Sequence, residues 1–166
     1  QYGLGRSEDR YSKAIERFGR ENIILSTKVG RLLLDCAPED VTPEAFVDVP
    51  QKRIVFDYSY DGVMRSYEAS KSRLKVEKVD ILFIHDVCAF SQGSQEMSDQ
   101  RVRELYDLGG YRALTELKAS GEIKAIGAGV NEWQVCEKLL GLSEFDCFLL
   151  AGRYTLLEQD ALESFL

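Results

Sequence analysis

Four short apolar runs, "NIILSTKVG", "VDILFIHD", "IKAIGAGV" and "FDCFLLAG", recur along this chain, with a helical pattern before the first and between one run and the next. A strand that rejoins its sheet after a helix lies parallel to its neighbour, because a long crossover has carried the chain back to the same end. The alternation therefore selects the α/β class, a parallel sheet with helices outside it. Two architectures satisfy it, an open doubly wound sheet and a closed barrel. The open sheet's dinucleotide fingerprint is not met, because "GAGVNE" lacks the third glycine of GxGxxG. The expectation is a partial (β/α)8 TIM barrel in a single domain spanning residues 1–166.

The helical segments follow from apolar spacing. Tyr11, Ala14, Ile15 and Phe18 predict an amphipathic helix over 8–19, with Ser7 as N-cap and Gly19 as stop. Val63, Met64, Tyr67, Ser70 and Leu74 share one face of a helix over 60–76. Tyr111, Leu114 and Leu117 mark another over 109–119, and Val135, Cys136, Leu139 and Leu140 a third over 131–142. "LLEQDALESFL" starts a last helix. The first apolar run, ending near Lys28, reads as a strand buried on both faces. Residues 31–55 hold all three prolines and show no sustained period, which predicts a long loop with a short hairpin at "RIVFDYS". Residues 88–99 read as a polar connection. The glycines of "IKAIGAGV" predict close approach by another backbone or a ligand.

With 45% apolar and 30% charged residues, the chain can bury a core, and no apolar stretch nears the roughly 18 residues of a membrane span. A net charge of -7 without a Lys/Arg stripe argues against a nucleic-acid surface. Four cysteines at 36, 88, 136 and 147, with one histidine, suggest neither a zinc site nor a disulfide framework. Reduced thiols in a cytoplasmic protein are the expectation. A start at Gln1 and a finish inside a helical pattern suggest an internal piece of a longer protein.

In a (β/α)8 barrel the chemistry gathers at the C-terminal ends of the strands. Those ends read Lys28, His85, Asn131 and Ala151/Arg153, with Tyr2 placed where an earlier strand would finish. Taken singly, each is an ordinary polar loop residue or a structural histidine. Their order is more informative. "YGLGRSED", "IILSTKVG", "DILFIHD" and "GEIKAIGAGVN" together resemble the aldo-keto reductases, and "LLAGRYTLLEQ" is similar to the branch holding aldose and pyridoxal dehydrogenases. The resemblance runs from the end of that barrel's second strand to the helix after its sixth.

The resemblance implies an oxidoreductase that moves a hydride between NADP or NAD and a small carbonyl or sugar substrate. Tyr2 matches the family's proton-exchanging tyrosine. A phenol ordinarily ionises near pH 10, so it needs a neighbouring cation to work near neutrality, and Lys28 matches the lysine that provides one. His85 matches the histidine that orients the substrate oxygen, and Asn131 the asparagine that holds the nicotinamide carboxamide. Val130 and Ala151 depart from the serine and glutamine found in many members. The family's aspartate would precede Tyr2, and the phosphate-binding loops would follow residue 166. The 166 residues alone are accordingly expected to be inactive and poorly soluble, with unpaired sheet edges. Two rivals stand beside this reading: an aldolase-type barrel forming a Schiff base on Lys28, and a non-catalytic binding protein on the same scaffold.

Overall fold

The computed structural model describes all residues from Gln1 to Leu166. Its centre is a parallel sheet in the order β1 (Ser26–Val29), β4 (Ile81–His85), β5 (Ala125–Val130), β6 (Cys147–Leu150). Register aligns Lys28 with Phe83, His85 with Gly129, and Gly129 with Leu149. Side chains alternate across a strand, so this alignment sorts the sheet into two faces. Val29, Leu82, Ile84, Ile126, Ala128 and Val130 belong to the hydrophobic core shared with the helices. Lys28, Phe83, His85, Gly127, Gly129 and Leu149 form the opposite face, the barrel interior.

Helices α1 (Arg6–Phe18), α2 (Tyr60–Leu74), α5 (Gly110–Ala119) and α6 (Trp133–Leu140) surround the outer face, and α7 (Asp160–Ser164) closes the chain. α2 buries Val63, Tyr67, Ser70 and Leu74, as their spacing requires, and starts on Ser59, whose hydroxyl accepts from the Gly62 amide at 3.1 Å. α1 departs from its pattern. Tyr11 and Phe18 are exposed, while Glu8, Ser12 and Ile15 are buried. The buried carboxylate is tolerated because Thr27 Oγ1 donates to it at 2.6 Å and Arg73 Nε at 2.7 Å. Nor is Ser7 the cap: α1 begins two residues earlier than expected, from Gly5 at φ 98° with no side-chain cap. The Tyr2 carbonyl accepts from the Ser7 amide at 3.1 Å, so the turn that starts the helix also fixes Tyr2.

Three further sequence expectations are corrected. The 31–55 region is an antiparallel hairpin of β2 (Arg31–Asp35) and β3 (Lys52–Phe56), wider than a short hairpin at "RIVFDYS". Leu32, Leu33 and Leu34 gave no alternation to mark β2, and the prolines cluster in the connection between its strands. The segment after Cys88 is mostly helical, with α3 (Ala89–Gln92) and α4 (Gln95–Asp107). Only Ser98, Val102 and Leu105 of α4 are buried, too sparse an apolar stripe to stand out. β1 is not buried on both faces: Ser26 is exposed and Ile24, before it, is 80% exposed.

At the N-terminal ends of the strands, Asp80 and Asp146 repeat one device. Each carboxylate accepts an amide at the start of an adjacent strand, from Leu25 just before β1 and from Ile126 in β5, both at 2.8 Å. Burial would raise the Asp80 carboxyl, but the Leu25 amide and the cations of Lys124 and Arg20 outweigh it and hold it down to about 2. A depressed carboxylate stabilises the fold above its unfolded pKa near 3.9 and loses that stabilisation as pH falls through the folded value. Asp80→Asn is therefore expected to cost about 2 kcal/mol at neutral pH. The deficit should vanish between about pH 4 and pH 2 in chemical denaturation of the full-length protein.

Candidate active site

The C-terminal ends of the strands open into a cleft of about 340 Å³, lined in part by Tyr2, Lys28, Asp86, Asn131, Leu149 and Ala151. That volume sits at the low end of the roughly 300–1,000 Å³ of small-molecule sites. Lys28 leaves the end of β1 with its Nζ 4.6 Å from the centre of the Tyr2 ring. Its aliphatic stem rests on Gly129, where an added Cβ would lie 3.1 Å from Lys28 Cε. The glycines of β5 thus make room for side chains of neighbouring strands: Gly129 for Lys28 and Gly127 for Phe83.

His85, at the end of β4, is 2% exposed and lies beneath the cleft rather than on its wall. Its ring meets the Tyr2 ring edge-on at 5.7 Å. Nδ1 lies 3.4 Å from Gln1 Oε1. Nε2 is buried without a hydrogen-bond partner, although Asp86 Oδ2 stands 3.3 Å away in poor alignment. Burial, then the charges of Arg31 and Lys28, pushes the imidazole pKa well below its ordinary 6.5. The ring is therefore neutral at physiological pH, with one nitrogen a donor and the other an acceptor. Tyr58 anchors the backbone here, its buried hydroxyl donating to the His85 carbonyl at 2.6 Å.

Asn131, just beyond β5, donates through Nδ2 to Asp86 Oδ1 at 3.3 Å and to Ser91 Oγ at 3.1 Å. Both amide hydrogens are spent within the protein, which leaves Oδ1 to accept from a ligand. Asp86 also forms an ion pair with Arg31. Burial raises its carboxyl pKa, against the lowering charge of Arg31 and the hydroxyl of Ser91.

Tyr2, Lys28 and Asn131 thus share the cleft wall, with His85 directly behind. Arg153 stands outside the cleft, over the face of Phe90. Val130 and Ala151 line the cleft with aliphatic surface and bring no polar side chain to it. Sequence reasoning missed Asp86 and Arg31, each within three residues of a strand-end residue it had chosen. Charged residues immediately past the first polar position were the available signal.

The chain matches the Aldo/keto reductase family over residues 1–166 and belongs to that family. It is 40% identical, over an alignment of 174 positions, to the pyridoxal 4-dehydrogenase of Microbacterium luteolum, covering 99% of this chain and 50% of that protein. It is 30% identical over 164 positions to the D-threo-aldose 1-dehydrogenase of a Pseudomonas species, covering 96% and 46%. The chain therefore spans about half the length of these relatives. The fold resembles the holo form of an aldo-keto reductase from Bacillus halodurans, with a TM-score of 0.62 at 21% identity, over 90% of this chain and 41% of that one. A glycerol dehydrogenase from Gluconobacter oxydans superposes with a TM-score of 0.56 at 18% identity, over 87% and 36%. The four parallel strands with their helices are part of a (β/α)8 barrel. No helix is long and apolar enough to cross a membrane.

Proposed function

We propose that the full-length protein is an NAD(P)-dependent dehydrogenase or reductase acting on a small aldehyde, ketone or sugar hydroxyl, with Tyr2, Lys28 and His85 as its catalytic residues and Asn131 as a cofactor contact. The observation that carries this reading is the meeting of Lys28 Nζ, the Tyr2 ring and the His85 ring at one end of a barrel sheet. A nicotinamide bound in the cleft would supply or accept the hydride. Asn131 fits such a group because its Oδ1 is the one part of its side chain left without a protein partner, suited to accept from the carboxamide.

The remaining steps belong to side chains of this chain. In reduction, Tyr2 donates its phenolic proton to the carbonyl oxygen as negative charge builds there. Lys28, against the Tyr2 ring, stabilises the phenolate left behind. The neutral imidazole of His85 holds the substrate oxygen beside the phenol, since small misplacements at a reacting centre cost large factors in rate. In oxidation the same proton moves the other way, from the substrate hydroxyl to the phenolate. The two named dehydrogenase relatives support an oxidoreductase over a Schiff-base aldolase on Lys28.

The test uses the full-length protein with NADH or NADPH carrying deuterium at the transferable C4 position and a panel of aldehydes, ketones and sugars. Deuterium should appear on the former carbonyl carbon of the alcohol product. A Lys28 adduct trapped by borohydride, with no deuterium transfer, would instead establish the aldolase.

A further inference from the structure

We propose that Arg31 is a latch that holds the 36–51 connection of the hairpin in place as the substrate-selecting wall of the cleft. One arm of its guanidinium grips Glu44 of that connection, and the other grips Asp86 at the end of β4. The proposal rests on the oxidoreductase reading and deepens it: the substrate so selected is a small, hydroxyl-bearing ring compound.

The 36–51 connection contributes Glu44, Ala45 and Phe46 to the cleft wall. Phe46 stands over the catalytic end, its ring 6.2 Å from that of Tyr2. Little else ties this segment down. Beyond the Cys36 amide to Gln51 carbonyl bond that continues the hairpin ladder at its base, its backbone hydrogen bonds are local: Asp40 to Ala37, Val41 to Pro38 and Phe46 to Pro43. Of its side chains only Glu44 forms a hydrogen bond, to Arg31 Nη1 at 3.1 Å. The position of the wall therefore depends on Arg31.

Arg31 is built to be fixed. It is 9% exposed, sits 5.3 Å over the ring of Phe56, and pairs through Nη2 with Asp86. Asp86 is immobilised in turn by Asn131. Both carboxylates that hold the guanidinium sit on strained backbone, with φ 55° at Glu44 and 53° at Asp86. Side chains other than glycine rarely adopt that conformation, and it persists where surrounding contacts over-determine it. Here the shared partner is Arg31.

A wall carrying one carboxylate and one phenyl ring sorts substrates on two counts. Phe46 limits bulk above Tyr2 and covers the face of a ring. Glu44, Asp86 and Ser91 offer hydrogen-bond partners to hydroxyls around that ring. A compact hydroxylated ring matches the cleft, and a large apolar aldehyde does not.

The experiment compares Glu44→Gln, Arg31→Met and Arg31→Lys in the full-length protein. Pyridoxal and D-galactose serve as hydroxylated rings and 2-naphthaldehyde as the bulky probe. Glu44 is partly exposed, so its amide variant tests the latch even if an Arg31 variant fails to fold. The wild type is expected to prefer a hydroxylated ring. Glu44→Gln should raise KM for it about tenfold, the scale of one charge-assisted hydrogen bond, with little change in kcat. The rate on 2-naphthaldehyde should hold or rise, and Arg31→Lys should recover part of what Arg31→Met loses. Amide hydrogen exchange over residues 42–48 should quicken in Glu44→Gln. Preference for 2-naphthaldehyde in the wild type, or a preference ratio shifted less than twofold by Glu44→Gln, overturns the selecting wall. A wild type that turns over none of the probes with either nucleotide defeats the oxidoreductase reading instead. In that case unchanged exchange over 42–48 defeats the latch on its own terms.

Discussion

Replacing Tyr2 with phenylalanine in the full-length protein is expected to lower kcat for carbonyl reduction by about 10²–10⁴-fold, the range for loss of a positioned proton donor. The substitution keeps the ring and so keeps its packing. The edge-on contact with His85, the approach of Lys28 Nζ to the ring face and the tilted contact with Phe46 all involve carbon atoms that remain. Only the hydroxyl goes. At about 1.4 kcal/mol per tenfold, the loss corresponds to roughly 3–5 kcal/mol of transition-state stabilisation. KM should move much less, because proton donation matters only as the oxygen becomes basic. Thermal unfolding of the variant should match the wild type, since Tyr2 is 45% exposed and its hydroxyl forms no hydrogen bond within the protein. Steady-state kinetics with a saturating nucleotide decide the matter. A kcat within about threefold of wild type would remove Tyr2 from the mechanism.

The barrel strands were legible in the sequence as short apolar runs separated by helical patterns, and two of them end on a residue of different chemistry. "DILFI" stops at His85 and "AIGAGV" at Asn131, and the change from apolar to polar marks both the strand end and the site. The hairpin and α4 were obscure for the opposite reason. β2 carries three consecutive leucines, which signal no period, and α4 buries too few apolar side chains to announce a helix. Of the cleft, the sequence showed the side chains that stand first past a strand and hid those that act through pairing. Arg31 and Asp86 lie 55 residues apart, and only folding shows that they form an ion pair. The same holds for Tyr58, whose position in the chain says nothing of the carbonyl it reaches. What sequence reading captured was the placement of single residues at strand ends. What it missed was chemistry created by two residues meeting.

The second large effect is structural and falls at Gly30, between the site lysine and the hairpin. Gly30→Ala is expected to destabilise the full-length protein by about 2–5 kcal/mol, from two costs that add. Gly30 has φ 97°, and placing an L side chain in left-handed backbone costs about 1–2 kcal/mol. The new methyl would also lie 2.3 Å from Tyr58 Cε1 and 2.5 Å from Cδ1, inside any permissible contact. Overpacking of this kind typically costs about 1–3 kcal/mol. The ring cannot easily retreat. Tyr58 is 1% exposed, and its hydroxyl is held between the His85 carbonyl at 2.6 Å and Gln92 Nε2 at 3.3 Å. Gly121→Ala isolates the backbone share, since Gly121 also has positive φ, 75°, but nothing within 4 Å of the added methyl. Its cost should stay within that backbone share of about 1–2 kcal/mol. Urea denaturation of both variants, at equal m, should therefore give a midpoint drop about twofold larger for Gly30→Ala. Activity should separate them as well, because a Tyr58 ring forced aside releases the carbonyl of His85 and with it the placement of the imidazole. Equal midpoint shifts would mean that the ring gives way freely, and that His85 owes its position to the sheet ladder instead of to Tyr58.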